Sequence, residues 1–518
     1  MTDRSDIPPI ETTLADERQK LARYYGVHPY FTRRSAAVVR AYIERYSVAG
    51  DTVADPFGGS GVTAIEALLM GRRAIHNDLN PFANFLTATI ADTRLGAVTD
   101  IWAAFRRVAE RAEERVRDIE AGGEERARAC LERLPLPENI PLPRNSDAKR
   151  YFDLFTPRQL AGLATIRAGL DALDEGPARD CLLLAWSASV AKLNRTFLSA
   201  HGRAESRGGS SIFSLYRYKL AKQPVELPIW ETFRGRVANV VAAKAEVLAI
   251  RDHARQRDGT VIDSAAGLRV LAQDAATLDT AVPPDSVDYI FTDPPYGGHI
   301  AYLDLSVLWN HWLGFRVSDE DRGREAIVGG ELKLSESHYH RKLADSISAG
   351  VRLLREDRWF SVVFQHWDPS YFDTILTAAG DNGCRLRAAV TQERDVIWSM
   401  HKKKNAETML AGEMILTFYK PRARRRAPAM VRESAPTLFS DLLNETLSAC
   451  AGLDEITSQF IFNRVILLAW EKRALAQLRV TRSDFAAALH ERGWRYDEKR
   501  HVWRKALSRA PDLFSGPI

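Results

Sequence analysis

The sequence predicts an α/β fold carrying a large, mostly helical insertion and closed by a small helical C-terminal region. Three observations predict it. The short apolar runs that end in "VADPF", "RAIHND" and "VDYIF" each stop at a turn rich in Asp, Asn, Gly or Pro, as buried strands do where they meet their loops. Between the second and third of these runs, apolar residues recur at helical spacing for more than a hundred positions. After the third, strand-like runs return at "WFSVVFQH", "RLRAAVTQ" and "MILTFYK".

Taken in order, the first part of the core occupies residues 22–96. Ser35 to Tyr46 reads as a helix, "VADPF" closes a strand, Val62 to Met70 is a second helix and "RAIHND" a second strand. The insertion, 97–262, opens with Trp102, Phe105, Val108, Ala109, Ala112, Val116 and Ile119 at helical spacing among many Arg and Glu. The Pro-rich break "LPLPENIPLPR" divides it, and a mostly helical stretch from about 151 to 250 follows. The second part of the core, 263–420, starts near "GLRVLAQDAA" and includes a helix near 340–356. The basic run "PRARRR" marks the next boundary, and 436–518 reads as helical.

Composition narrows the class. Hydrophobic residues make up 45% and charged residues 27% of 518, with a net charge of +5, which describes an ordinary globular protein of more than one domain. No apolar run approaches the roughly 20 residues needed to cross a bilayer, so a cytoplasmic location and no membrane partner are expected. Cys130, Cys181, Cys384 and Cys450 form no Cys-x-x-Cys pair, and no metal site is expected.

Two motifs carry chemistry. "DPFGGSG", Asp55 to Gly61, leaves a strand and enters a helix; Gly58, Gly59 and Gly61 let the backbone turn sharply and approach a ligand closely. Asp78 lies seventeen residues after Gly61, at the end of the next strand, where an acid can hold ribose hydroxyls. The third glycine of a dinucleotide fingerprint is missing, which disfavours a pyrophosphate ligand. "DPPYGG", from Asp293, follows the apolar run Val287 to Phe291; two prolines end the strand there and leave its carbonyls free to accept hydrogen bonds.

"DPFGGSG", then "NDLNP", then "DPPY" together resemble the DNA amino-methyltransferases that act on adenine N6 or cytosine N4. The resemblance covers 28–91 and 268–420. It implies a Rossmann-like seven-stranded methyltransferase sheet whose last strand is antiparallel, with S-adenosyl-L-methionine as cofactor and double-stranded DNA as partner. A restriction or defence system, with a partner protein of that kind, is also implied. By that resemblance Asp55 and Pro56 bind the cofactor, and Phe57, Gly58, Gly59, Ser60 and Gly61 face its methionine part. Asp78 faces its ribose and Asp274 with Ala275 its adenine. His28, Thr32 and Arg33, in "HPYFTRR", stand where the family's preceding helix touches the cofactor carboxylate. Asp293, Pro294, Pro295 and Tyr296 are the catalytic set: an acid and a carbonyl to orient the amine, and a ring to stack on the flipped base. Asp at the first position tilts the expectation toward N6-methyladenine.

The expected nucleic-acid surface is the insertion loop around 194–224, where Arg195, Arg203, Arg207, Arg217, Lys219 and Lys222 alternate with Phe213, Tyr216 and Tyr218. Lys402 and Lys403 in "MHKKKN" and the basic run "PRARRR" are further phosphate candidates, and the 300–340 loop and the C-terminal tail stay open as alternative places for recognition. Two alternatives stay open: cytosine N4 as target, and a tRNA guanosine N2-methyltransferase, which shares a similar glycine loop and "DPPYG". C5-cytosine chemistry is disfavoured, because none of the four cysteines follows a proline.

Overall fold

The computed structural model of the chain describes residues 4–15, 22–197, 209–222, 225–298, 300–393, 406–408, 410–422 and 439–505. It is α/β, with seven strands in the order β3-β2-β1-β4-β5-β7-β6. These are β1 Thr52–Asp55, β2 Arg73–Asn77, β3 Leu268–Leu271, β4 Val287–Thr292, β5 Leu354–Phe364, β6 Arg385–Glu393 and β7 Gly412–Lys420. β1 pairs in parallel with β2 and β4, and β2 with β3. β7, the last of them in the chain, runs antiparallel to β6. The expected sheet, with its antiparallel final strand, is therefore present.

The chain divides into two compact units, Ala15–Arg358 and Met1–Leu14 with Trp359–Ile518. In the first unit, β1 and β4 are buried along their whole length, which explains why each reads as an apolar run without alternation. Gly61, at φ +81°, caps the helix Val62–Leu69. Every residue of that helix is buried, Glu66 included. Its carboxylate is matched by the hydroxyls of Tyr24 at 3.0 Å and Tyr25 at 2.8 Å and by Arg40 at 2.6 Å, which offsets the cost of a charge in the core. Asn80 caps the next helix, Pro81–Ala91, by accepting from the Phe82 amide.

The insertion lies between β2 and β3. Its main helices are Val98–Ala121, Gly123–Leu131, Pro157–Asp171, Pro177–Val190 and Ile229–Asp258. Phe105, Val108, Ala112, Val116 and Ile119 are buried along the first of them, on the face that the apolar spacing marks, whereas Trp102 and Ala109 are half-buried and Ile101 is buried instead.

In the second unit, β6 and β7 form a ladder with Val390 opposite Ile415. The C-terminal region contains the helices Phe439–Ala449, Ser458–Glu471 and Arg482–Glu491. It also holds three strands that the sequence reading does not include: β8 Glu455–Ile456, β9 Trp494–Asp497 and β10 Val502–Lys505, in the order β8-β10-β9 and all antiparallel. Strands of two to four residues are too short for alternation to register.

Cys181, Cys384 and Cys450 are buried, and all four cysteines are free. Burial pushes the Cys181 and Cys384 thiols up to about 12, so neither is poised as a nucleophile. Among the described residues no helix is long and apolar enough to cross a membrane.

Candidate active site

The site is a cavity in the first unit, at the carboxyl ends of β1, β2 and β4. Thr32, Asp55 to Ser60, Asp78, Asp274, Ala275, Asp293 and Pro295 line it, together with Tyr30, Arg34, Tyr302 and Glu325. An open α/β sheet places ligands in this position, where the strand order reverses.

The three glycines of the loop are required for three different reasons. A Cβ on Gly58 would lie 2.2 Å from Nδ1 of His76, a fully buried ring on β2. A Cβ on Gly61 would lie 2.2 Å from Oγ1 of buried Thr87, and its φ of +81° is left-handed besides. Gly59, at φ +51°, meets nothing nearer than Tyr30 at 3.5 Å, so its missing side chain leaves room on the cavity side.

Carboxylates hold this loop. Asp78 accepts from the Gly59 amide at 2.7 Å and from the Asn80 amide at 2.8 Å. Asp55 accepts from the Thr292 hydroxyl at 2.8 Å and from the Phe57 amide at 3.1 Å. Burial pushes Asp55 up to about 7 and Asp78 up to about 6, against the lowering effect of those hydrogen bonds. Two acids of this kind favour a ligand that brings positive charge. The residues therefore fit a nucleoside that carries a cationic amino-acid chain: a glycine cradle for close approach, with two buried acids, Asp55 and Asp78, lining the same cavity.

Asn77 straps the parts together. Its amide nitrogen donates to the carbonyls of Pro56 and Gln273, both at 3.0 Å, and its oxygen accepts from the Gln273 amide at 2.9 Å. Asp274, expected at the cofactor adenine, uses one oxygen to cap the Ala276 amide and the other to pair with Lys342.

Asp293 leaves the end of β4 and meets Arg34, which sits just ahead of the helix Ala36–Tyr46. Arg34 Nε donates to Oδ2 at 2.5 Å and Nη2 to Oδ1 at 2.7 Å. The Tyr296 hydroxyl also donates to Oδ1, at 2.7 Å, and the guanidinium lies 5.5 Å from the Tyr296 ring centroid. Pro294 is buried, and among the described residues no donor reaches its carbonyl. The Pro295 carbonyl accepts from the Tyr339 hydroxyl.

Other expected residues are placed differently. His28 is buried against Phe82 and Trp309, at 4.6 and 5.5 Å between ring centroids, and its Nδ1 meets the Pro29 carbonyl. It does not line the cavity, and burial lowers its pKa to about 3, so it is a neutral core histidine. Arg33 does line the cavity, with its guanidinium held by the Tyr25 and His28 carbonyls.

Tyr218 is not available for base stacking. It is 1% exposed, and its hydroxyl donates to the Leu305 carbonyl at 2.7 Å and accepts from the Leu308 amide at 3.1 Å. Arg217 pairs with Asp147, and Arg195 donates to the Asp153 carbonyl at 3.0 Å. Lys219 and Lys222 are exposed. Arg203, Arg207, Lys402 and Lys403 lie outside the described residues.

Sequence reasoning missed Arg34, Tyr30, Asn77 and Glu325. Arg34 had a signal, since it stands beside Arg33 in the same motif. Glu325 had none. It is buried at the cavity wall, accepts from the Leu303 amide at 3.0 Å, and is pushed up to about 8, by burial first and then by the charges of Asp304 and Asp78.

Residues 6–84 match the DNA methylase family of the N6/N4 type. The Type II methyltransferase M.MjaII of Methanocaldococcus jannaschii is 34% identical over 77 residues, 15% of this chain. The matched stretch spans only 14% of that relative's length.

Proposed function

We propose, from the premise that the chain belongs to the N6-adenine/N4-cytosine amino-methyltransferase family, that it is a site-specific DNA methyltransferase. Its target is the exocyclic N6 amine of adenine in double-stranded DNA, and its cofactor is S-adenosyl-L-methionine. One observation carries the reading: Asp293 opens into the same cavity as the glycine loop and Asp78.

An exocyclic amine is a poor nucleophile because its lone pair is delocalised into the ring. S-adenosyl-L-methionine, when bound, supplies an electrophilic methyl group. The chain's own residues prepare the amine. The Asp293 carboxylate and the Pro294 carbonyl accept its two hydrogens, which turns the nitrogen toward tetrahedral geometry and aims its lone pair. Asp293 also stabilises the positive charge that develops on nitrogen. Tyr296 stacks on the base, which has to leave the duplex to reach the cavity. Asp78, Gly59 and Asp55 hold the cofactor side of the pocket. Asp rather than Ser at the first position of the turn supports adenine over cytosine. A restriction-modification or defence setting, with a partner protein and a nucleoid-associated cytoplasmic location, belongs to the same proposal.

Incubating the protein with labelled cofactor and either duplex DNA or bulk tRNA, then resolving the nucleosides by mass spectrometry, tests it. N6-methyladenine in DNA is expected. N4-methylcytosine alone would overturn the choice of base and leave the amine mechanism standing; label confined to tRNA would overturn the DNA reading.

A further inference from the structure

The C-terminal region of the second unit carries a surface that the methylation reading does not use. Its order along the chain is helix Phe439–Ala449, β8, helix Ser458–Glu471, helix Arg482–Glu491, then the hairpin β9–β10. β10 lies between β8 and β9, antiparallel to both. This is the connectivity of a winged helix-turn-helix, in which the third helix and the hairpin after it form one face. Phe462, Val465, Phe485, Leu489 and Trp503 are fully buried in it, and Phe462 and Phe485 also pack against Trp367, earlier in the same unit.

Charge is divided sharply within the module. Residues 439–471 contain one Arg against five Asp or Glu, whereas residues 472–505 contain ten Lys or Arg against four Asp or Glu. The second segment's surplus of six exceeds the +5 of the whole chain. Several of its cations are neutralised locally: Lys472 by Glu445, and Arg500 and Arg504 by Glu455. Its acids are partly spent on structure, since Asp484 caps the third helix through Thr481 and Asp497 closes the hairpin turn. That leaves Arg473, Arg479, Arg482, Arg495, Lys499 and Lys505 exposed and without a carboxylate partner among the described residues.

These six sit in the turn before the third helix, at its first residue, and on the hairpin. Cations on a helix entrance and on a neighbouring wing can reach phosphates on both sides of a groove. Beyond Arg482 the exposed positions of the third helix are Ser483, Asp484, Ala487 and Glu491, a poor set for reading base edges. We propose that the winged module of residues 439–505 grips the phosphate backbone of duplex DNA as an anchoring contact, apart from the pocket that takes the reacting base.

The test uses the full chain with Asp293→Ala in every arm, so that it reads binding alone and stands whether or not the methylation reading does. Arg473→Ala, Lys499→Ala and Lys505→Ala are combined, because these exposed side chains make no hydrogen bond or ion pair among the described residues. Affinity for a fixed duplex is measured by fluorescence anisotropy from 50 to 200 mM salt. The expected result is a slope of log affinity against log salt that is shallower by up to about 3, close to one for each lost phosphate contact. Affinity at the low-salt end should fall at least tenfold, with the melting temperature unchanged. An unchanged slope and affinity would overturn the proposal, as would tighter binding of a single strand than of the duplex by the parent protein.

Discussion

Replacing Arg34 by alanine removes three hydrogen bonds at once from the end of β4: two to Asp293 and one to the Tyr296 hydroxyl. A carboxylate oxygen has about two in-plane acceptor positions. Among the described residues, Oδ1 of Asp293 already takes Arg34 and Tyr296, while Oδ2 takes Arg34 alone. An incoming amine therefore finds one open position, on Oδ2, and Arg34 fixes where it points. Hydrogen bonds to a charged group contribute about 1.5–3 kcal/mol. The side chains of Arg34 and Asp293 are 12% and 21% exposed, so solvent screens the pair only in part. Taking about 1.5–3 kcal/mol for the orientation as a whole, and 1.36 kcal/mol per tenfold in rate, kcat should fall by roughly 10- to 150-fold. Arg34→Lys keeps the charge but loses the fork and should recover only part of the rate. Single-turnover methylation at saturating DNA measures the step, and calorimetry with the cofactor alone serves as control. A kcat equal to or above the parent's would mean that the pair obstructs the amine instead of orienting its acceptor. Loss of cofactor affinity in proportion to rate would move Arg34 to the cofactor side.

Asp78→Ala should weaken cofactor binding by about 1–3 kcal/mol, the scale of a charge-assisted hydrogen bond; an unchanged dissociation constant in calorimetry would exclude Asp78 from the site. Gly61→Ala combines a left-handed φ with a clash against Thr87 and should cost about 2–5 kcal/mol. Gly59→Ala, with 3.5 Å of clearance, should cost only the backbone strain of about 1–2 kcal/mol. Equal melting temperatures for the two variants would contradict this ordering. Asp55 gives a pH signature. Its folded pKa, about 7, lies above the roughly 3.9 of an unfolded chain, so the folded state holds a proton that the unfolded state has released. Stability attributable to Asp55 is thus highest below about pH 4 and is lost as pH rises toward 7. Asp55→Asn should raise the melting temperature more at pH 8 than at pH 5, and identical gaps at both pH values would show that burial does not govern this group.

The strands and the two motifs were legible because they are local. Glycines at fixed spacing and prolines at a strand end reveal their backbone geometry within a few residues. What escaped depends on partners far along the chain. Arg34 gains its role from Asp293, and its place beside Arg33 marks the motif without revealing that partner. Tyr218 looked like a stacking platform because it stands among cations and aromatics, yet its hydroxyl is committed to the backbone at Leu305 and Leu308. His28 has the residue type of a ligand-binding group, but Phe82 and Trp309 close over it. β9 and β10 were hidden for a different reason: each has only four residues, two apolar and two charged, too few for a strand pattern to register.

The long detour between β2 and β3 bears on how the pocket comes into being. β3 seats the acid of β2: Leu271 accepts from the Asp78 amide at 3.1 Å, and Ala74 is paired with Leu268. Closing so long a loop adds little to the equilibrium cost, since each doubling of length adds only about 0.6 kcal/mol. Its weight falls on rate, because contacts distant in sequence form late. During synthesis the glycine turn leaves the ribosome long before the strand that fixes Asp78. Asp78 can therefore be seated against β3 only once the chain has been made as far as Leu271.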